Sequence, residues 1–158
     1  MYKEQFHHSD DIYLLSHSIG KLPRTSAAYT EQHFFAKWAE SNDKIWDGWL
    51  SSIDNFRDTI AQLYSVDRKD LCPQVNLSSA LTKIVSCLAE PSPRKNTILL
   101  SEEDFPSLGF VLQTAASTEV QLKFIPREED LLDLSVWEKH LSDDIALVLV
   151  SHVYSNTC

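Results

Sequence analysis

The sequence predicts an α/β fold in which a helical amino-terminal segment precedes the start of a mainly parallel sheet. Three observations carry this. Up to about Tyr64 the apolar residues recur at helical spacing. From Thr97 onward, short apolar runs alternate with helical patterns in the order strand, helix, strand, helix, strand. The strand runs also lack strict alternation, which marks strands covered on both faces. The expected division is an amino-terminal helical segment over 1–66 and the first part of a larger domain over 67–158.

Taken in order, Ile12 to Leu15 is a short apolar run that ends at Ser16 to Gly20, and Pro23 punctuates it. A helix is expected over about Ala28 to Ala39, with Phe34, Phe35 and Trp38 on neighbouring turns. Asn42-Asp43 reads as a break and cap. Trp46, Trp49, Ile53, Phe56, Ile60 and Leu63 then follow at intervals of 3, 4, 3, 4 and 3, an amphipathic stripe expected to face a core. After the charged connection 67–70 and Pro73, residues Leu77, Leu81, Ile84, Val85 and Leu88 make another helical face, stopped by Pro91 and Pro93. Thr97 to Ser101, Val120 to Ile125 and Ala146 to Val150 are the strands. Phe105 to Ala116, with Pro106 in its first turn, and Leu134 to Leu141 are the intervening helices.

The chain has 158 residues and a net charge of −9, with 43% hydrophobic and 10% aromatic residues, so it has the means to form a core. That charge, with no basic run beyond Arg94-Lys95, argues against nucleic acid as a partner. No apolar stretch approaches the roughly 18 residues of a spanning helix. Cys72, Cys87 and Cys158 are widely spaced and form no CxxC pair, which fits structural thiols in a reducing, cytoplasmic compartment. The third strand ends with no helix to cover it, an arrangement expected of the front part of a longer protein.

Ligands of parallel sheets sit beyond the carboxyl ends of the strands. The stretches Ser101 to Ser107 and Ser151 to Cys158 occupy such places. Phe105 can lie against a planar heterocycle, or serve as a staple before the helix that Pro106 opens. His152 is either an acid–base group or a satisfied strand-end residue. His17, His33 and His140 show no evident partner. The clusters Glu102 to Asp104 and Glu128 to Asp130 read as solvated loop faces. Asn76-Leu77-Ser78-Ser79 opens a helix, where two hydroxyls and free amides can either cap the helix or hold a phosphate. No GxSxG, Walker, GxGxxG or HExxH motif occurs.

Several segments in one order carry a family resemblance. They are Ile12-Tyr13-Leu14 with His17-Ser18-Ile19-Gly20, Trp46-Asp47-Gly48-Trp49, Phe56-Arg57-Asp58 and Asn76 to Ser79. Ile98 to Leu100 with Asp104 to Ser107, and Leu149 to Val153, complete the set. From about Ile12 to Thr157 the chain resembles the amino-terminal part of the kynureninase branch of the class V aminotransferase-like enzymes. The resemblance implies an incomplete aspartate-aminotransferase-like fold and pyridoxal 5′-phosphate as cofactor. It implies that Ser78 and Ser79 bind the cofactor phosphate, and that Phe105 stacks on the ring with Pro106 and Ser107 completing the turn. Ser151 falls near the cofactor, and His17 and Ser18 fall on a loop that approaches the substrate. Two positions depart from the family pattern: Leu108 stands where an acid is usual, and Cys158 where a glycine is usual.

The same resemblance implies an amino-acid substrate, with hydrolysis of kynurenine to anthranilate and alanine as the specific reaction, transamination and desulfuration as other class V reactions, and a homodimer for the complete protein. The family's pyridine-pairing Asp, its His and its Schiff-base Lys fall beyond Cys158. None of Lys37, Lys44, Lys69, Lys83, Lys95, Lys123 and Lys139 matches that lysine, so the chain alone is expected to lack the covalent chemistry. A non-catalytic remnant, a subunit that needs a second chain, and a small phosphate-ligand domain are the alternative readings.

Overall fold

The structure, a computed structural model, describes residues 2–40, 43–87, 94–116 and 119–157. Asn42, Leu88, Pro91, Pro93 and Cys158, each given a role above, lie outside the described residues. Two compact units result, 1–73 and 74–158. The division lies beyond the 66/67 boundary read from the sequence because Arg68 is tied back to the long helix of the first unit. Its guanidinium pairs with Asp54 and Asp58, and Arg57 Nη2 donates to its carbonyl at 3.1 Å.

In the first unit, Ile12 to Leu15 forms no helix. Phe6 instead bridges antiparallel to Pro23, and the His7 N–H donates to the Leu22 carbonyl at 2.9 Å. Helix α1 (Arg24–Thr30) runs through a π-helical turn (Glu31–Phe35) into α2 (Ala36–Glu40), so the helical stretch starts earlier than its periodicity indicated. Helix α3 (Ile45–Tyr64) carries the aromatic and aliphatic stripe. It ends in a Schellman motif. Ser65 takes φ 53°, and the Val66 N–H reaches back to the Ala61 carbonyl at 3.1 Å. The stripe does not face a core as expected. Trp46, Ile53, Phe56 and Leu63 are exposed, and Ala61 is the buried residue of the helix. Only part of the helix is covered: Phe34 of the π-helical turn stacks on Trp49 at 4.9 Å near its start, and Arg68 pairs with Asp54 and Asp58 in its middle.

The second unit is an α/β layer. Helix α4 (Leu77–Cys87) precedes β1 (Thr97–Ser101), α5 (Pro106–Ala115), β2 (Gln121–Ile125), α6 (Leu134–His140) and β3 (Ile145–Val148). The sheet order is β2-β1-β3 with both pairings parallel, and Leu99 sits in register with Lys123 on one side and Val148 on the other. Every residue of β1 is buried. The outer strands β2 and β3 are only partly buried, so coverage of both faces holds for the central strand alone. Helices α4 and α5 pack together over the sheet. Leu81 and Val85 from α4, Ile98 and Leu100 from β1, and Leu108 and Leu112 from α5 form one buried cluster. Leu108, where the resemblance leads one to expect an acid, is thus a core residue.

Candidate functional site

The cofactor residues expected from the sequence fall into two groups in the second unit. The first is the opening turn of α4. Asn76 caps it: its Oδ1 accepts from the Ser79 N–H at 2.8 Å, and its carbonyl accepts from the Ala80 N–H at 3.2 Å. Capping by the serine hydroxyls, one of the sequence readings, is thereby replaced by capping through the Asn76 amide. Ser78 and Ser79 are half-buried, and among the described residues neither hydroxyl has a hydrogen-bond partner. Two uncommitted hydroxyls thus stand at the positive end of an 11-residue helix, a composition suited to the oxygens of an anion.

The second group lies beyond the carboxyl ends of β1 and β3. Phe105 immediately precedes α5, Pro106 is the first helical residue, and the Leu108 N–H closes the turn on the Phe105 carbonyl at 2.9 Å. Phe105 is 57% exposed, so its ring is free of the core and available to a ligand. With Pro106, Phe110, Phe124 and Arg127 it lines a cavity of about 390 Å³. Ser107 is half-buried and outside that lining. Leu81, two residues past Ser79, and Leu108, next to Ser107, share the buried cluster, so both helix starts flank one core.

Ser151 leaves the end of β3 and donates its hydroxyl hydrogen to Asp104, in the turn after β1. Around that turn stand four further groups missed from the sequence: Glu103, Arg127, Tyr154 and Asn156. Glu103 pairs with Arg127 Nε at 2.7 Å and accepts from Asn156 Nδ2 at 2.6 Å. Burial, and then the nearby carboxylates of Asp104 and Glu103, push the Tyr154 phenol above its ordinary pKa. Glu103 and Asp104 are 8% and 7% exposed, so only Glu102 of that acidic cluster lies on a solvated face. The spacing Ser101 to Asp104 carried a signal: a carboxylate three residues on can accept from the backbone N–H at the strand end, and Asp104 does so at 2.8 Å.

The other sequence candidates have different surroundings. His17 and Ser18 belong to the first unit, where both are exposed and His17 Nδ1 lies 3.2 Å from the Leu14 carbonyl. His152 is exposed beside Ser151. His140 does have a partner, Glu129, at 2.9 Å. Among the described residues no group of His, Cys, Asp and Glu is arranged to hold a metal ion, and no helix is long and apolar enough to cross a membrane.

A solved structure of a C-DES lysine mutant, with glycine covalently linked to its PLP cofactor, superimposes on 92% of this chain with a TM-score of 0.79 at 18% identity. The fold is part of the aspartate-aminotransferase-like fold. That neighbour is covered over 39% of its own length. Kynureninases of Burkholderia mallei (strain SAVP1) and Burkholderia pseudomallei (strain 1106a) are each 25% identical over 155 residues, 92% of this chain. The chain spans 36% of the length of those relatives. An uncharacterized aminotransferase of Bacillus subtilis, YcbU, is 26% identical over 109 residues, which is 69% of this chain and 28% of that protein. No protein-family model matches the chain. The resemblance to kynureninase-like, class V aminotransferase-fold enzymes thus extends over nearly the whole chain.

Proposed function

We propose that this chain supplies the phosphate-anchoring and ring-covering parts of a pyridoxal 5′-phosphate site in a kynureninase-like enzyme that acts on an amino acid. The observation that carries the reading is the pair of uncommitted hydroxyls at the start of α4 together with the exposed Phe105 ring, both flanking one buried cluster. The residues suit the group. Ser78 and Ser79 offer hydroxyls to a phosphate at a helix start, Phe105 offers a flat apolar face in the turn that Pro106 and Ser107 complete, and Ser151 offers a polar atom held in place by Asp104. Pyridoxal phosphate, when bound, supplies the electron sink for carbanion chemistry at an amino acid. This chain's residues anchor and orient it. His17 and Ser18 are assigned to the substrate side. Hydrolysis of kynurenine is the reaction that the relatives favour. A homodimer without nucleic-acid partners is the assembly proposed for the whole protein.

The test is a titration with pyridoxal 5′-phosphate, followed by absorbance and by tryptophan fluorescence. Saturable binding is expected, and Ser78→Ala with Ser79→Ala should weaken it by about tenfold or more, because each hydrogen bond to a charged group is worth about 1.5–3 kcal/mol. Borohydride should leave no lysine adduct on this chain. Unchanged affinity in the double variant would overturn the phosphate assignment, and a stoichiometric lysine adduct would overturn the placement of the covalent chemistry elsewhere.

A further inference from the structure

Ser151 and Asp104 follow different strands, yet their side chains meet. The two oxygens of Asp104 are both committed. Oδ2 accepts from the Ser101 N–H at 2.8 Å, and Oδ1 accepts the hydroxyl hydrogen of Ser151. A serine hydroxyl has one hydrogen and two lone pairs. With its hydrogen held by Asp104, the Ser151 oxygen meets any further group only as an acceptor. The segment that bears it is pinned a second time, since Asn156 Nδ2 donates to Glu103 at 2.6 Å. Glu103 is itself fixed, with its N–H donating to Ser101 Oγ at 3.0 Å and its carboxylate paired with Arg127. The polarity of Ser151 is therefore set by the buried Asp104 carboxylate rather than by a rotor that turns to suit a ligand.

We propose that Asp104 is a positioning residue that locks Ser151 as a hydrogen-bond acceptor, so that this strand end addresses a donor on the bound molecule, a protonated nitrogen or a hydroxyl. The inference rests on the pyridoxal-phosphate reading above and assigns the polarity of one of its contacts. Asp104→Asn is the sharp perturbation. The one oxygen of the new amide is claimed by the Ser101 N–H, which leaves its NH2 facing Ser151. That group donates to the Ser151 oxygen and turns the hydroxyl hydrogen outward, toward the ligand's own donor.

The experiment measures pyridoxal 5′-phosphate affinity and the absorption maximum of the bound cofactor in the wild type, Asp104→Asn, Ser151→Ala and the double variant, with thermal melting of each. Asp104→Asn and Ser151→Ala should each weaken binding about tenfold and shift the absorption maximum. The double variant should be no worse than the weaker single one, because both changes remove the same contact. Additive losses, or Asp104→Asn binding as the wild type does, would overturn the inference. If Asp104→Asn fails to fold, Ser151→Ala still decides: unchanged affinity and spectrum there overturn it. Absence of binding by the wild type overturns the cofactor reading as well, whereas wild-type binding with indifferent variants overturns this inference alone.

Discussion

Replacing Phe105 by alanine should separate binding from stability. The ring is 57% exposed, so less than half of its apolar surface contributes to folding. Complete burial of such a side chain is worth about 1.5–3 kcal/mol, which places the folding cost of its removal at about 1 kcal/mol. A stacked heterocycle would cover the remaining surface and add the aromatic contact of about 0.5–1.5 kcal/mol. Loss of the ring should then cost about 2 kcal/mol of cofactor affinity, or about 30-fold. Leu108, three residues on, should behave in the opposite way. It is 3% exposed within the cluster shared by α4, α5 and β1, and Leu108→Ala should cost about 2–5 kcal/mol of stability. Chemical denaturation followed by circular dichroism reads the first quantity, and cofactor titration reads the second. Phe105→Ala with wild-type affinity, or with a folding loss as large as that of Leu108→Ala, would refute the placement of the ring at the ligand's face.

Two further outcomes follow from local geometry and charge. Ser65→Gly should stabilise the protein by about 0.5–1 kcal/mol, because Ser65 ends α3 at φ 53°, a conformation that glycine adopts without cost; equal or lower stability in denaturant would contradict this. The Glu129 carboxyl is held below the usual glutamate range by His140 and then Lys139, so its contribution to stability is present above the ordinary glutamate pKa and is lost as pH falls through the lowered value. Melting temperature measured from pH 6 down to pH 3 should therefore fall less steeply in Glu129→Gln than in the wild type, and parallel curves would refute the linkage.

The parts of the fold that local pattern controls were legible in the sequence. Thr97 to Ser101 reads as a buried strand because all five residues lie in the centre of the sheet. Pro106 marks the start of α5 because its missing N–H costs nothing there. The misreadings arise where distant residues decide. Glu103 and Asp104 look like solvated acids in a loop, but both are buried, and their side-chain partners Asn156 and Ser151 are 53 and 47 residues away. His140 gains Glu129 only when the loop before α6 folds back on it. The stripe on α3 has ideal helical spacing, but spacing cannot say how much of a face is covered, and Trp46 and Leu63 are exposed. At the start of α4 three capping residues compete, and the Asn76 side chain reaches the Ser79 N–H, which leaves the serine hydroxyls for other use.

The most direct measurement is an experimental structure of the protein with pyridoxal 5′-phosphate bound. The phosphate should accept hydrogen bonds from Ser78 or Ser79 at the start of α4, with the pyridine ring lying against Phe105. A phosphate held elsewhere, or a ring that does not touch Phe105, would contradict the account.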